Sequence, residues 1–439
     1  MNKKIVVYQV LTRLFGNTNT TNKPWGTKEE NGVGKFSDFT EKALLEIKKL
    51  GATHIWFTGV LHHALTTDYT AYGISNDFPA VVKGRAGSPY AIKDYYTVNP
   101  DLADNPAQRL EEWEALIART HQCGLKVIMD IVPNHVARRY ESIAKPEGIR
   151  GFGEDDDISV TYAVNNNFYY NPNEAFQLPE GIYGEYHEFP AKWTGNGARA
   201  SQPDRNDWYE TVKLNYGVHP DGIKDFPELP IGFESEDTEV HYHFWQDKTV
   251  PNTWQKFKDI ALYWLEKGVD GFRYDMAEMV PVEFWSYFNS AIKHHNSEAF
   301  LLAEVYNPNE YRSYLHLGKM DYLYDKVQLY DTLRNIVAHE HSTDAIAPIQ
   351  RELSDISDRM LHFLENHDEQ RIASPEFAGY AEKAKPAMVV STLISKSPVM
   401  VYFGQEVGER AAEWAGFGSP SRTSIFDFIG VPAHQRWVN

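Results

Sequence analysis

The chain has 439 residues, of which 42% are hydrophobic and 24% charged, a balance typical of a globular protein with a sizeable core. Asp and Glu outnumber Lys and Arg by 61 to 43, and the formal net charge of −18 argues against nucleic acid or an anionic membrane as a partner, because both require a basic surface. The single cysteine, Cys123, excludes an internal disulfide.

The N-terminal segment is predicted to form a strand rather than a signal peptide. Its apolar stretch runs only from Ile5 to Leu11, contains Gln9, and is followed by Arg13 instead of a small-residue cleavage site. No apolar run reaches the roughly 18 residues that a membrane span needs. The sequence therefore predicts a cytoplasmic protein, with a secreted or periplasmic location as the alternative if a leader was removed.

Eight short apolar runs, rich in β-branched residues, alternate with helical patterns along the chain. The runs are Ile5–Leu11, His54–Val60, Lys126–Val132, Val269–Asp275, Phe300–Val305, Met320–Tyr324, Met360–Leu364 and Pro398–Phe403. Near-continuous hydrophobic strands are typical of a parallel sheet that is covered on both faces. Eight strand–helix repeats therefore predict an α/β fold, the (β/α)8 TIM barrel.

One connection between predicted strands is much longer than the others. Residues 136–240, between the third strand and the helix that leads into the fourth, are rich in Gly, Pro, Asn and Tyr. This composition predicts a small irregular α+β domain inserted after strand 3. The chain is thus divided into barrel strands 1–3 at 1–135, the insert at 136–240, and barrel strands 4–8 at 241–439. Only 36 residues follow Phe403, so the barrel is expected to be truncated at its end.

Acidic residues follow the predicted strands at the end where the active site of such a barrel forms. Asp275 follows Arg273 by two residues, so both side chains point to the same face, and the guanidinium is expected to keep the carboxyl ionised, as a nucleophile requires. Glu304 ends an apolar strand, where desolvation favours the protonated form that a proton donor needs. Two carboxyl groups in such different surroundings are typical of glycoside hydrolysis.

A third acid, Asp368, lies beside His367 after the seventh strand and is a candidate for holding sugar hydroxyls. Each of these motifs also has an ordinary structural explanation. An Arg-x-Asp on a strand is more often an ion pair, and a single Glu at a strand end usually contacts a loop. The functional interpretation therefore depends on the order and spacing of the whole set around one barrel.

The same motifs resemble the signatures of the α-amylase family, glycoside hydrolase family 13. The segments DIVPNH at 130–135, GFRYD at 271–275, Glu304 and NHD at 366–368 follow the family order. The resemblance implies a retaining mechanism through a covalent glucosyl-enzyme, with Asp275 as nucleophile, Glu304 as general acid/base and Asp368 as transition-state stabiliser. It also implies substrate contacts from residues at matching positions, which are Tyr90, His135, Arg273, His367 and Arg371.

Two further segments bear on this resemblance. QPDRN at 202–206 is similar to the QPDLN signature of the oligo-1,6-glucosidase-like branch, with Arg205 in place of Leu. After the nucleophile, Glu278 and Met279 stand where many endo-acting amylases have Lys-His. In those enzymes the Lys contacts the reducing-side sugar, which Glu278 cannot do, and the His gives a backbone ligand to calcium.

Calcium is the candidate metal that the resemblance implies. Asn134 and Asp204 match family positions that can bind calcium between the barrel and the insert. Calcium takes six to eight oxygen ligands, and these two residues supply only part of such a set. No organic cofactor is implied.

We therefore predict a retaining α-glycoside hydrolase that acts on α-1,4-linked glucans such as maltodextrin or starch fragments. Two alternatives stay open. One is a transglycosylase or isomerase of the same family acting on maltose, sucrose or trehalose, and the other is a non-catalytic glucan-binding relative. The expected partner is an oligo- or polysaccharide, and the all-β domain that usually ends this family is not expected in the chain. The sequence does not indicate the oligomeric state.

Overall fold

The computed structural model describes residues 4–411 and 422–434, so part of the predicted C-terminal barrel segment, residues 412–421 and 435–439, lies outside the described residues. Eight parallel strands form the central sheet, and each lies within a segment predicted as a strand. They are β1 (Val6–Leu11), β2 (His54–Thr58), β3 (Lys126–Ile131), β4 (Gly271–Tyr274), β5 (Phe300–Ala303), β6 (Tyr322–Tyr324), β7 (Met360–Leu361) and β8 (Val399–Tyr402). The predicted (β/α)8 architecture is confirmed.

The eight strands close into a barrel. Each strand pairs with its neighbours in chain order, and β1 also pairs with β8. The remaining edges meet through a parallel bridge between His362 and Val399, with hydrogen bonds from His362 N to Pro398 O (3.0 Å) and from Met400 N to His362 O (2.9 Å). The regular part of β7 is only two residues long, so the prediction of a strand over Met360–Leu364 was too long.

Side chains from non-adjacent strands meet inside the barrel, so that its interior is a packed core rather than a channel. Trp56, Ile128, Leu302 and Met400 belong to one buried cluster. A larger cluster lies between the strands and the surrounding helices. Burial on both faces explains why the strands are recognisable as continuous apolar runs.

The longer helices around the barrel are amphipathic. The helix Asn252–Glu266 buries Trp254, Phe257 and Trp264, and the chain then turns at Gly268 with φ 97°, a left-handed conformation that favours glycine. No helix of the described ranges is long and apolar enough to cross a lipid bilayer. The α-helices are Lys28–Asn31, Glu41–Lys49, Arg109–Gln122, Thr238–Trp245, Asn252–Glu266, Val282–His295, Tyr311–His316, Asp331–His339, Ile346–Glu352 and Lys385–Leu393.

The insert after β3 consists of loops and two short antiparallel strand pairs. Tyr170–Asn171 pairs with Ala191–Lys192, and His135–Ala137 at the barrel rim pairs with Thr211–Lys213. The second pair joins the insert to the chain directly after β3. The insert is therefore anchored beside the strand ends where an active site is expected. A further pair, Leu61–His63 with Ile92–Val98, lies between β2 and β3 in the chain.

The predicted boundary of the insert at residue 240 falls inside the helix Thr238–Trp245. Two side chains of this helix are bonded to Ser286 Oγ of a barrel helix: His241 through Nδ1 at 2.7 Å and Trp245 through Nε1 at 2.9 Å. The helix thus packs with the barrel. Residues 217–232, just before this helix, contain several Pro and Gly residues. Composition alone therefore does not separate the helix from the insert.

Candidate active site

Arg273 is the centre of the candidate site. The parallel register of β4 with β3 places it beside Asp130, and its side chain is fully buried. Nη1 lies 2.8 Å from Oδ1 of Asp275 and 3.4 Å from Oδ1 of Asp130, and Nη2 lies 3.0 Å from Oε2 of Glu304. One guanidinium therefore brings together three acids from three neighbouring strands.

The pKa of Asp275 is subject to opposing effects of burial and neighbouring charges. Burial raises the pKa of this carboxyl well above its ordinary value, Arg273 opposes the shift, and the charges of Glu304 and Asp368 add to it. Arg273 is shared with Glu304 and Asp130, and its charge offsets only part of the effect of burial on the pKa of Asp275. Asp275 consequently takes up a proton more readily than an exposed aspartate does.

Glu304 is surrounded by hydrogen-bond donors on both oxygens. Oε2 accepts from Met276 N at 2.9 Å in addition to the contact with Arg273, and Oε1 accepts from the hydroxyl of Tyr306 at 2.5 Å. Met276 has φ 46°, a left-handed conformation that is uncommon for a residue other than glycine. Strained backbone of this kind is concentrated at functional sites, and here it presents an N–H to the carboxylate.

Tyr306 is a site residue that the sequence reasoning missed. It lies two residues after Glu304, and this spacing returns a side chain to the same side of an extended segment. Its segment is held by Glu278, whose Oε2 accepts from Tyr306 N and from Asn307 N at 3.0 Å each. Glu278, noted in the sequence only as a departure from the family pattern, thus fixes the loop that carries Tyr306.

The third acid, Asp368, is held by the histidine that precedes it. Its Oδ2 lies 3.1 Å from Nε2 of His367, and the same nitrogen contacts the hydroxyl of Tyr90 at 2.5 Å. Nδ1 of His367 contacts Nε2 of Gln9, a second residue the sequence did not single out, at 2.8 Å. Burial by itself raises the pKa of Asp368, but His367 and Arg273 outweigh it and hold the pKa below its ordinary value.

One cavity of about 340 Å³ at the mouth of the barrel is lined by Asp275, Glu304, Tyr306 and Asp368. Its size falls within the range of about 300–1,000 Å³ that is usual for small-molecule sites. The ring of His135 lies edge-on to Trp208 of the insert, with centroids 5.5 Å apart. Burial, with Lys213 and Lys83, lowers the pKa of His135 to about 3, so the imidazole is neutral. The predicted site residues that line the cavity are Tyr90, His135, Asp275, Glu304 and Asp368.

Arg371, like Arg273 and His367, is a predicted substrate contact that is not among the residues lining this cavity. Its side chain is fully buried. The guanidinium donates to Phe403 O at 2.8 Å and to Thr423 Oγ1 at 3.0 Å, and it lies 3.4 Å from Oε1 of Glu365. Arg371 thus ties the loop after β7 to the end of β8, and its role as a substrate contact stays a prediction.

The two residues predicted to bind calcium lie in different surroundings. Asp204 is exposed, and its Oδ1 accepts from the backbone and the side-chain amide of Asn206 at 2.9 Å each. Asn134 is buried, and its Oδ1 accepts from the ammonium of Lys213, which also lies 3.4 Å from Met279 O.

The residues at this position do not fit calcium. In the part of the chain that the structure describes, no group of three or more His, Cys, Asp or Glu side chains is arranged to hold a metal ion. Burial lowers the pKa of Lys213 to about 8, which leaves the ammonium charged at neutral pH. A positive charge on the amide oxygen of Asn134 excludes a second cation from that oxygen.

The fold and the site together define a class of protein: a (β/α)8 barrel that carries a set of acids around one arginine at its strand ends. A sequence model of the α-amylase catalytic domain matches residues 9–216 and 239–424. The chain belongs to the α-amylase family.

Known relatives are distant but match over most of this chain. α-Amylase 3 of Dictyoglomus thermophilum is 22% identical over 422 residues, which cover 92% of this chain and 64% of that protein. Neopullulanase 2 of Thermoactinomyces vulgaris is 20% identical over 428 residues, covering 93% and 57%. The chain thus spans roughly three-fifths of the length of these relatives. The crystal structure of an α-amylase from Lactobacillus plantarum, 20% identical, superposes with a TM-score of 0.59 over 99% of this chain and 79% of that one, and supports the barrel fold.

Tyr306→Phe is expected to lower kcat and kcat/KM by about 10- to 100-fold. A hydrogen bond to a charged group contributes about 1.5–3 kcal/mol. The substitution removes the hydrogen bond from the Tyr306 hydroxyl to Glu304 and keeps the aromatic ring. Steady-state kinetics on an α-glucan measures the loss.

Tyr314→Phe is the matched control for this substitution. Its hydroxyl donates to Glu278 O at 3.1 Å and Val280 O at 3.0 Å in the neighbouring loop and touches none of the three acids. We expect it to keep wild-type kinetics. An equal loss in both variants would show that Tyr306 acts only by stabilising the loop.

Proposed function

We propose that this protein is a retaining α-glycosidase that acts on α-1,4-linked glucans. The observation that carries the proposal is the shared guanidinium of Arg273, at 2.8 Å from Asp275 and 3.0 Å from Glu304. A contact with one small planar group keeps both carboxyls close to each other. In retaining enzymes the nucleophile and the acid/base lie about 5–5.5 Å apart, whereas inverting enzymes leave room for a water between them.

In the proposed reaction, the carboxylate of Asp275 attacks the anomeric carbon while Glu304 gives its proton to the departing glycosidic oxygen. The resulting glucosyl ester of Asp275 is hydrolysed by water, from which Glu304 takes a proton. Asp368, whose pKa is held below the ordinary value, stays ionised and stabilises the positive charge that develops on the sugar ring.

The substrate class rests on the family and on the cavity. The relatives named above are an α-amylase and a neopullulanase. The phenol ring of Tyr90 stacks on His367 with centroids 5.3 Å apart and lines the cavity, where an aromatic face suits the apolar face of a glucose ring. Residues of the segment QPDRN line a surface cavity with Glu180 that is separate from the catalytic cavity. The oligo-1,6-glucosidase-like branch is therefore supported by the sequence of this segment and not by the geometry of the catalytic cavity.

A digestion panel of starch, maltotriose, isomaltose, sucrose and pullulan, with product sizing, tests the proposal. We expect net release of reducing ends from maltotriose and starch, and a product that first appears as the α-anomer. Asp275→Asn serves as the blank.

Other products would support one of the alternatives. Larger oligosaccharides or isomeric disaccharides without net release of reducing ends would identify a transglycosylase or isomerase. Binding of maltodextrin without any cleavage by the wild type would identify a glucan-binding protein. A β-anomeric first product would contradict the retaining mechanism.

A further inference from the structure

The joint between the barrel and the insert contains a lysine that bonds to neutral oxygens only. Lys213 lies at the end of the insert strand Thr211–Lys213, opposite His135 in the antiparallel register. Its ammonium donates to Oδ1 of Asn134, just after β3, and lies 3.4 Å from Met279 O in the loop after β4. Three separate segments of the chain therefore meet at one positive charge.

Lys213 differs from a second lysine that borders the same 420 Å³ cavity. Lys224 is paired with Glu283 at 2.6 Å. Within the described ranges no carboxylate lies at ion-pair distance from Lys213, whose ammonium contacts only Oδ1 of Asn134 and the carbonyl oxygen of Met279. A positive charge held by an amide oxygen and a carbonyl oxygen has the surroundings of a bound metal cation rather than of a salt bridge.

We propose that the ammonium of Lys213 takes the place of a metal cation between the barrel and the insert, so that this joint is held by the chain itself and needs no calcium. The proposal concerns the joint and does not depend on the substrate. It accounts for the choice of acceptors, since amide and carbonyl oxygens are ligands that calcium also uses. It also accounts for the failure of Asn134 and Asp204 to form a metal site.

The contact has a consequence for the catalytic cavity. Because Oδ1 of Asn134 faces the ammonium, its Nδ2 is directed to Gly195 O at 2.9 Å and to Nδ1 of His135 at 3.0 Å. His135 lines the cavity. Lys213 is therefore a positioning residue that acts on His135 through the orientation of one amide.

The first test uses the wild-type protein as purified. Its unfolding midpoint is measured by thermal denaturation in excess EDTA and in excess calcium chloride at equal ionic strength, and its metal content by elemental analysis. We expect the same midpoint in both solutions and no stoichiometric metal. A midpoint that falls in EDTA and returns with calcium would overturn the proposal.

The second test removes the charge. Lys213→Met leaves the buried oxygen of Asn134 without its donor, and we expect the midpoint to fall by roughly 1–3 °C and to be no higher in EDTA than in buffer. Lys248→Met, a surface lysine that is paired with its exposed neighbour Asp247, is the control and is expected to keep the wild-type midpoint.

A third measurement separates positioning from simple stability. Below the unfolding temperature, Lys213→Met is expected to raise KM on maltotriose several-fold with a smaller change in kcat, because His135 loses its orientation while the acids keep theirs. If Lys213→Met matches the wild type in both midpoint and KM, Lys213 is not the cation of this joint. The two stability readouts remain informative even if the protein cleaves no glucan.

Discussion

Asp275→Asn is expected to lower kcat/KM on maltotriose by about 10⁴-fold or more, and Glu304→Gln by about 10²–10⁴-fold. The first change removes the attacking oxygen, and losses of this size are measured when an enzyme nucleophile is deleted. The second removes a general acid, whose contribution is typically of the stated size. Both variants are expected to fold normally, since each replaces a buried carboxyl by a neutral group of the same shape.

An α-glucosyl fluoride substrate separates these two roles. Fluoride leaves without help from an acid, so Glu304→Gln should still form the glucosyl ester, detectable as a covalent mass increase, and then hydrolyse it slowly. Asp275→Asn should form no ester. Ester formation by Asp275→Asn, or wild-type turnover of maltotriose by either variant, would contradict the assignment.

The pH profile of the wild type gives a related expectation. Asp275 must be ionised to attack, so kcat/KM rises with pH through the pKa of this group. Because burial raises that pKa, the acid limb should lie above the value of about 3.9 that is usual for aspartate.

The control for both substitutions is a buried carboxyl outside the site. Asp94 is fully buried in the strand Ile92–Val98 and accepts from Ser142 Oγ at 2.5 Å and from backbone amides. Asp94→Asn is expected to leave kcat/KM unchanged. A similar loss of turnover in this variant would indicate that any buried carboxyl is equally important.

Arg273→Met is expected to have the second largest effect, on activity and stability together. The guanidinium is fully buried, and its removal leaves Asp130, Asp275 and Glu304 without their common cation. Breaking a buried ion pair from one side costs about 3–5 kcal/mol of unfolding free energy, measured here by chemical denaturation. We expect kcat/KM to fall by at least about 10³-fold.

The pH dependence of Arg273→Met distinguishes loss of charge from loss of fold. Arg273 opposes the rise in the pKa of Asp275, so without it the acid limb of kcat/KM should move to still higher pH. Arg273→Lys keeps a charge but cannot bridge three acids, and should give intermediate stability and rate. Full activity of Arg273→Met would show that the arginine only supports the strand.

The barrel could be predicted from sequence because its strands are buried on both faces and therefore appear as continuous apolar runs. The acids could be placed because Asp275 and Glu304 lie at the ends of such runs and Asp368 lies four residues after one. The boundary at residue 240 could not, since the helix Thr238–Trp245 is defined by packing of His241 and Trp245 on a helix that follows much later in the chain.

Within the site, the missed residues differ in how they could have been found. Tyr306 was accessible through its two-residue spacing from Glu304. Gln9 and Lys213 were not, because their partners, His367 and Asn134, are distant in sequence and meet them only when the barrel closes. For Arg371 the motif match predicts a substrate contact, but it could not show that the guanidinium is bonded to Phe403 and Thr423.

The position of Arg273 between Asp275 and Glu304 has a consequence for the proposed reaction cycle. In the proposed mechanism, the negative charge is on Asp275 and the proton on Glu304 before attack; once the ester has formed, the aspartyl group is neutral and the glutamate is the anion. A single unit of charge thus moves between two oxygens that already contact the same cation. No counter-ion has to enter the barrel mouth in either half-reaction, and the solvent reorganisation that accompanies the charge transfer is kept small in both directions.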